Sequence, residues 1–270
     1  MSVLIDGIAD DGALSVFDGA VLRGDGCFEA IRSYGGRPFA FDRHYERLLR
    51  SAAALGLDVP PRGNLGSWVR QAAAGEGDGI VRVVLTRGGT VPGHADPGRC
   101  VVLWHPLPVT PDVLRLFPVT APWHPGGADW ELAGVKTISY APNQAASRHA
   151  VAEGFDDALL LSREGMILEG PTFSIAWVCD GVVETPELSL GILASVTVGI
   201  VSELCEQLGL KLSEGRYGLD RLESASEVMA LSTVKEVVPV SAVGSAKFES
   251  GPITASLANA YRQAVQASDR

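Results

Sequence analysis

Lysine is scarce in this chain. Lys136, Lys211, Lys235 and Lys247 are four among 22 basic residues, so arginine serves wherever plain surface charge suffices. The chain also lacks basic runs, and its net charge is −10. That removes the electrostatic footprint of a nucleic-acid or anionic-membrane binder. Cysteine is sparse: Cys27, Cys100, Cys179 and Cys205 lie far apart, without metal-ligand or redox-pair spacing. They read as reduced core residues. No window has the apolar length of a membrane span, and the acidic start MSVLIDGIADDG does not read as a secretory signal. The expectation is a soluble, cytoplasmic protein whose partners are small molecules.

What remains is a chain of 270 residues, 46% hydrophobic, enough for one large core or two moderate ones, with two domains the better reading. Met1 to Ile8 reads as an edge strand, followed by a loop through Gly24-Asp25-Gly26. Cys27 to Tyr34 alternates apolar and polar faces before Gly35-Gly36, which predicts a hairpin returning over Arg37 to Phe41. Asp42 is placed to cap a helix over Arg43 to Leu55, stopped by Gly56, with His44, Arg47 and Arg50 at its polar positions. A second helix near Leu65 to Ala74 and strands at Ile80 to Thr86 and Arg99 to Leu107 follow. Between those strands, Thr90 to Arg99 is Gly/Pro-rich and carries His94.

The Pro- and Trp-containing stretch from Pro106 to Gly127 changes composition without charge. It predicts a domain boundary, with domains over 1–117 and 122–270 and a linker at 118–121. In the second half the pattern predicts a helix over Asn143 to Glu153 and strands over Ala158 to Ser162 and Met166 to Leu168. A hairpin turning at Asp180-Gly181 joins Ile175 to Cys179 with Val182 to Glu184. Helices over Val198 to Leu208 and Leu219 to Ala225 follow it, before the strand Glu227 to Ser232 and a C-terminal helix from Ile253.

The stretch Gly134 to Pro171 concentrates the chemistry. Lys136 stands among small and β-branched residues, and Glu169 closes a later apolar strand. Unlike arginine, a desolvated lysine can lose its proton and attack a carbonyl to form a Schiff base. The hydroxyl-rich segment ending Ser195-Val196-Thr197 precedes a helix, whose free N–H groups and positive dipole end suit a phosphate. A Schiff-base lysine, a phosphate cradle, an arginine and a carboxylate are together what pyridoxal phosphate requires. Spacing alone leaves a half-exposed strand lysine and an ordinary helix cap as the competing reading.

Read in order, several motifs resemble the class IV aminotransferases, pyridoxal 5'-phosphate enzymes of fold type IV. They are GDGCFEAIR (24–32), DRHYERLLRSA (42–52), LTRG (85–88), GVKTISY (134–140), EGFDDALLLSREGMILEG (153–170), ETP (184–186), the LASVT loop, SASEVMALST (224–233) and Pro239-Val240. The resemblance implies a two-domain α/β (α+β) homodimer. It implies Lys136 as the catalytic Schiff-base lysine, Arg47 as the phosphate arginine, Glu169 as the partner of the pyridine nitrogen and Tyr140 as a neighbour of the phenolic oxygen. Ser195, Val196 and Thr197 would supply phosphate-loop contacts, and Thr233 another.

The chain departs from the family pattern at Ser174, where asparagine is usual, and at Ser195, where glycine is usual. The Arg-x-His carboxylate trap of well-known D-amino-acid transaminases reads Pro92-Gly93-His94 here, without the arginine. Arg87 and Lys235, with His94, are then the expected substrate-binding residues, and His44 reads as packing. The branched-chain Tyr-x-Arg signature is not evident. The resemblance thus implies amino transfer from an amino acid, D-amino acids first, to a 2-keto acid. The alternative is a 4-amino-4-deoxychorismate lyase releasing pyruvate and 4-aminobenzoate, with branched-chain or (R)-amine transamination behind both. A phosphate-metabolite binder without turnover is the non-enzymatic alternative. No metal is expected.

Overall fold

The computed structural model describes residues 3–268. The chain divides into two compact units, Met1–Pro108 with Val135–Tyr140, and Val109–Gly134 with Ala141–Arg270.

In the first unit the elements are β1 (Val3–Ile5), β2 (Ile8–Ala9), α1 (Gly19–Arg23), β3 (Gly26–Tyr34), β4 (Arg37–Pro38), α2 (Phe41–Leu55), α3 (Arg62–Ala73), β5 (Gly79–Thr86) and β6 (Cys100–Pro106). They build a sheet in the order β2-β1-β6-β5-β3-β4, every pair antiparallel. Each strand of such a sheet shows alternate residues to each face. Along β3 this buries Cys27, Glu29, Ile31 and Ser33 on the face covered by α2 and α3. Leu48 and Ala52 of α2 and Leu65, Val69 and Ala72 of α3 complete that core.

Helix α2 has no glycine or proline between Phe41 and Leu55, and Gly56 ends it in the left-handed region at φ 60°. It begins earlier than expected. Ala40, at φ 54°, turns the chain into the helix, so the return strand is cut to Arg37–Pro38 and Asp42 falls in the first turn. There the Asp42 carboxylate pairs with Arg62 rather than capping.

The second unit contains β7 (Leu114–Thr120), α4 (Ala141–Ala152), β8 (Asp157–Leu161), β9 (Ser174–Cys179), β10 (Val182–Pro186), α5 (Val196–Gln207), β11 (Leu212–Gly215), α6 (Leu219–Glu223), β12 (Glu227–Ser232), β13 (Glu236–Val243), β14 (Ala246–Lys247) and α7 (Pro252–Ala267). Its sheet runs β11-β10-β9-β12-β13-β7-β8, with β14 on β13. The pairs β10/β11, β13/β7 and β7/β8 are parallel. The β9–β10 turn is as expected, with Asp180 at φ 50° and Gly181 at φ 76°, both positive as a type I′ turn requires.

Two features depart from the sequence reading. Residues 118–120 of the expected linker lie inside β7, and the chain's own contacts divide at Pro108 instead. Pro118 is tolerated there because β13 pairs with β7 only from Leu114 to Leu116, leaving the proline beyond that ladder. The Lys136 segment, expected in the second domain, belongs to the first unit. Phe28 N–H donates to the Lys136 carbonyl at 3.0 Å, and Ile138 N–H to the Gly26 carbonyl at 3.0 Å, extending the β3 edge. The expected strand Met166 to Leu168 makes only isolated bridges, from Ile167 to Leu161 and from Met166 to Gly218.

Candidate active site

In the first unit, the Lys136 backbone is held from two sides. Its carbonyl is taken by β3, and its N–H donates to Ser51 Oγ of α2 at 3.1 Å. The side chain reaches over two rings, with Nζ 4.5 Å from the Phe28 centroid and 5.8 Å from that of Tyr140. Those rings meet edge to face at 5.3 Å. Lys136 and Tyr140 are thus brought together.

Arg47 lies one turn before Ser51 on the same buried stripe of α2. Its Nε donates to Glu29 Oε1 and its Nη2 to Oε2, both at 2.7 Å. His44 Nδ1 meets the same Oε2 at 2.7 Å. Burial alone would raise the Glu29 carboxyl. The charge and hydrogen bonds of Arg47, with those of His44, outweigh it and hold the pKa at about 2. Burial lowers the His44 pKa; the Glu29 contact opposes that, while the charges of Arg47 and Lys136 add to it. Glu29 was missed in the sequence. Its signal was there: a carboxylate in phase with Cys27 and Ile31 on the inward face of a strand.

Arg87 occupies a different situation from the one expected. Its Nε and Nη2 form a two-point contact with Asp25 at 3.0 Å, its Nη1 donates to the Gly56 carbonyl at 2.9 Å, and Nη2 also reaches the Leu55 carbonyl. The guanidinium therefore ties the GDG loop to the C-terminus of α2. Asp18 supports that arrangement by accepting from Thr86 Oγ1 at 2.7 Å and from Gly88 N–H at 3.2 Å. His94 is exposed and stacks on Phe17 at 3.7 Å. A cavity of about 340 Å³ beside Arg87 is lined by Asp6, Asp58, Thr86 and Arg99, and by neither Lys136 nor Arg47.

In the second unit, Glu169 is mostly buried and both its oxygens accept from Leu193 N–H at 3.3 Å. His124, also unforeseen, brings Nε2 to 3.7 Å from Glu169 Oε1, while its Nδ1 accepts from Gly126 N–H. That acceptor role puts the neutral ring's proton on Nε2, facing the carboxylate. Helix α5 starts at Val196, with Ser195 as N-cap accepting from Val198 N–H at 3.3 Å. Ser195 has φ −71°, so serine meets the backbone demand of this position without glycine. Val196 and Thr197 are buried in the first turn of α5, which packs on β12. Thr233 follows the end of β12, and Lys235, two residues on, holds Nζ 5.3 Å from the Phe173 ring. Burial lowers the Lys235 pKa, with Asp157 opposing.

These are the donor types that a phosphate-bearing aldehyde cofactor needs. Taken by itself, the first unit contains a lysine and a buried arginine; the second, taken by itself, contains a carboxylate and the N-terminus of a helix. Comparison with known proteins gives the class. A family model described as amino-transferase class IV matches residues 26–243. The chain belongs to the class IV aminotransferases, an enzyme family dependent on pyridoxal phosphate.

Its relatives span more than one substrate. A putative branched-chain-amino-acid aminotransferase of Methanocaldococcus jannaschii is 32% identical over 240 residues, 85% of this chain and 82% of that protein. The aminodeoxychorismate lyase of Bacillus subtilis is 27% identical, covering 95% and 91%. The D-alanine aminotransferase of Bacillus licheniformis is 27% identical, covering 94% and 92%. A fold IV-transaminase from Curtobacterium pusillum superposes with a TM-score of 0.87 at 32% identity, over 97% of this chain and 92% of that one. The PLP-bound form of a hypothetical aminotransferase from Mycobacterium tuberculosis gives 0.90 at 25% identity, over the whole of both. The two-domain fold type IV architecture follows. No described helix is long and apolar enough to cross a membrane.

Proposed function

We propose that the chain is a pyridoxal-phosphate-dependent transaminase that moves an amino group from D-amino acids to 2-keto acids. The observation that carries this reading is the fixing of Lys136 between β3 and Ser51 of the helix that bears Arg47. When bound, the cofactor supplies an electron sink for the substrate's Cα. In this reading Arg47, Ser195, Val196, Thr197 and Thr233 bind its phosphate, and Tyr140 lies by its phenolic oxygen. Glu169 keeps a proton on the pyridine nitrogen. The neutral Lys136 amine removes the substrate Cα proton and returns it. With Arg87 engaged by Asp25 and by α2 carbonyls, recognition of the substrate carboxylate passes to Lys235. His94 gains no support as a ligand from its stack on Phe17.

The second reading is 4-amino-4-deoxychorismate lyase activity. The Bacillus subtilis relative carries that name, and a Mycobacterium tuberculosis protein, 33% identical over 177 residues, is named as both lyase and D-amino acid transaminase. Branched-chain transamination comes third; the archaeal relative, two Arabidopsis thaliana relatives and a solved structure from Thermoproteus uzoniensis carry that name. A homodimer fits the exposed apolar residues Val16, Val21 and Leu22. A cytoplasmic location fits four buried, reduced cysteines.

The test is a coupled assay offering aminodeoxychorismate, D-amino acids, L-branched-chain amino acids and (R)-amines to one preparation, with borohydride reduction and peptide mapping. Label at Lys136 and keto acid from D-alanine are expected. Label at Lys235 would overturn the site. Fast release of 4-aminobenzoate without turnover of any D-amino acid would reverse the order of the two readings.

A further inference from the structure

Glu29 is 1% exposed on the core face of β3, in phase with Cys27 and Ile31. A lone carboxylate there would be strongly disfavoured, so its partners define its role. Arg47 meets it through the Nε/Nη2 edge, with both distances at 2.7 Å. Such a two-point contact fixes the plane of a guanidinium as well as its position. His44, three residues before Arg47 on α2, meets Oε2 at 2.7 Å. An ionised carboxylate only accepts, so His44 Nδ1 carries the proton and donates it.

We propose that Glu29 and His44 are positioning residues that set which edge of Arg47 faces an anion, making this subsite selective for a phosphate ester. The inference rests on the reading of Arg47 as the phosphate arginine. The Nε/Nη2 edge is one that a guanidinium commonly offers to an oxyanion; here Glu29 occupies it. The phosphate is then met by an arginine already oriented, in a cluster where the Glu29 carboxylate offsets the arginine charge. Because Glu29 stays ionised and His44 neutral, selectivity comes from geometry more than from excess positive charge. The groups facing His44 are Glu29 from β3, Arg47 from its own helix, and Lys136 from the adjoining segment.

Three variants of the full-length protein test this. Glu29→Asp keeps the charge but shortens the reach, Glu29→Gln keeps the shape but removes the charge, and His44→Asn weakens only the support. The measurement is binding of pyridoxal phosphate and of unphosphorylated pyridoxal, each followed by cofactor absorbance. Both Glu29 variants should lose on the order of tenfold or more in affinity for pyridoxal phosphate, with pyridoxal changed by less than about twofold. His44→Asn should move the same ratio by about threefold. General loosening of the fold would weaken both aldehydes alike and overturn the inference, as would an unchanged ratio. Should the Glu29 variants fail to fold, the His44→Asn ratio decides. Wild-type protein that binds neither aldehyde would reject the cofactor reading itself, and this inference with it.

Discussion

Ser51 Oγ accepts the backbone N–H of Lys136 at 3.1 Å, one helical turn beyond Arg47. A single rigid element, α2, therefore fixes both the arginine and the segment that bears the lysine. Ser51 is 2% exposed, so no water replaces its oxygen if it is removed. Ser51→Ala should destabilise the protein by about 1–3 kcal/mol, the usual consequence of stranding a buried N–H. Turnover should fall as well, because a near-attack position tolerates little displacement. Denaturant unfolding and steady-state kinetics check this, with Ser51→Thr as the restoring control. Wild-type stability and kcat in Ser51→Ala would reject the coupling.

Arg87 gives the second prediction. The LTRG motif made it a natural substrate ligand, yet four hydrogen bonds place it between Asp25 and the carbonyls of Leu55 and Gly56. Arg87→Ala should cost stability, about 1–2 kcal/mol after allowance for its partial exposure. KM for D-alanine should rise no more than a few-fold, far less than the roughly 30-fold expected from truncating a desolvated carboxylate pair. Arg87→Lys should restore little, since an ammonium cannot reproduce the two-point contact. A steep rise in KM with stability unchanged would return Arg87 to the substrate site.

Local elements were the legible part of the sequence. Helix α2 declared itself by unbroken periodicity ending in Gly56, and the β9–β10 turn by Asp180-Gly181. Lys136 stood out chemically because lysine is so rare here. Its neighbours could not be read. Ser51 and Glu29 reach it or Arg47 only through long-range contacts, and no local pattern states which strand edge the 135–140 segment joins. Strand β7 was hidden because Pro118 marks a loop in most contexts, and the parallel register that excuses it is a tertiary fact. The contacts of Arg87 with Asp25, Leu55 and Gly56 were hidden for a related reason. A motif gives the residue type but not how many of its donors are already engaged.

Acid titration supplies a prediction that does not depend on the cofactor. Glu29 and His44 both have folded pKa values below their ordinary ones, from 4.5 to about 2 for Glu29 and downward from 6.5 for His44. In each case the unfolded chain binds protons before the folded one as pH falls, so stability decreases with falling pH. The His44 contribution is lost first, below about pH 6.5, and that of Glu29 between about pH 4.5 and 2. His44→Asn should flatten the upper part of the stability profile and leave the lower part. Urea unfolding at successive pH values would show it; an unaltered slope below pH 6.5 would mean that His44 takes up its proton without loss of the fold.

Lys235 carries the last prediction. Its ammonium is largely buried against the Phe173 ring, and among the described residues no carboxylate pairs with it; Asp157 acts from farther away. Burial disfavours the charged form, so the folded pKa lies below 10.5. Between the folded and unfolded values the unfolded chain holds the extra proton, and stability rises as pH rises through that window. Lys235→Met should accordingly be at least as stable as wild type at neutral pH, an unusual outcome for the loss of a charged side chain. Its cost should appear in binding. If Lys235 is the substrate's carboxylate anchor, KM for D-amino acids should rise on the order of 30-fold in Lys235→Met. In the wild type KM should increase as pH climbs through the lowered pKa, while Lys235→Arg, which keeps its charge, should show a flat profile. A Lys235→Met enzyme with unchanged KM would remove Lys235 from the substrate site and leave its burial as a purely structural matter.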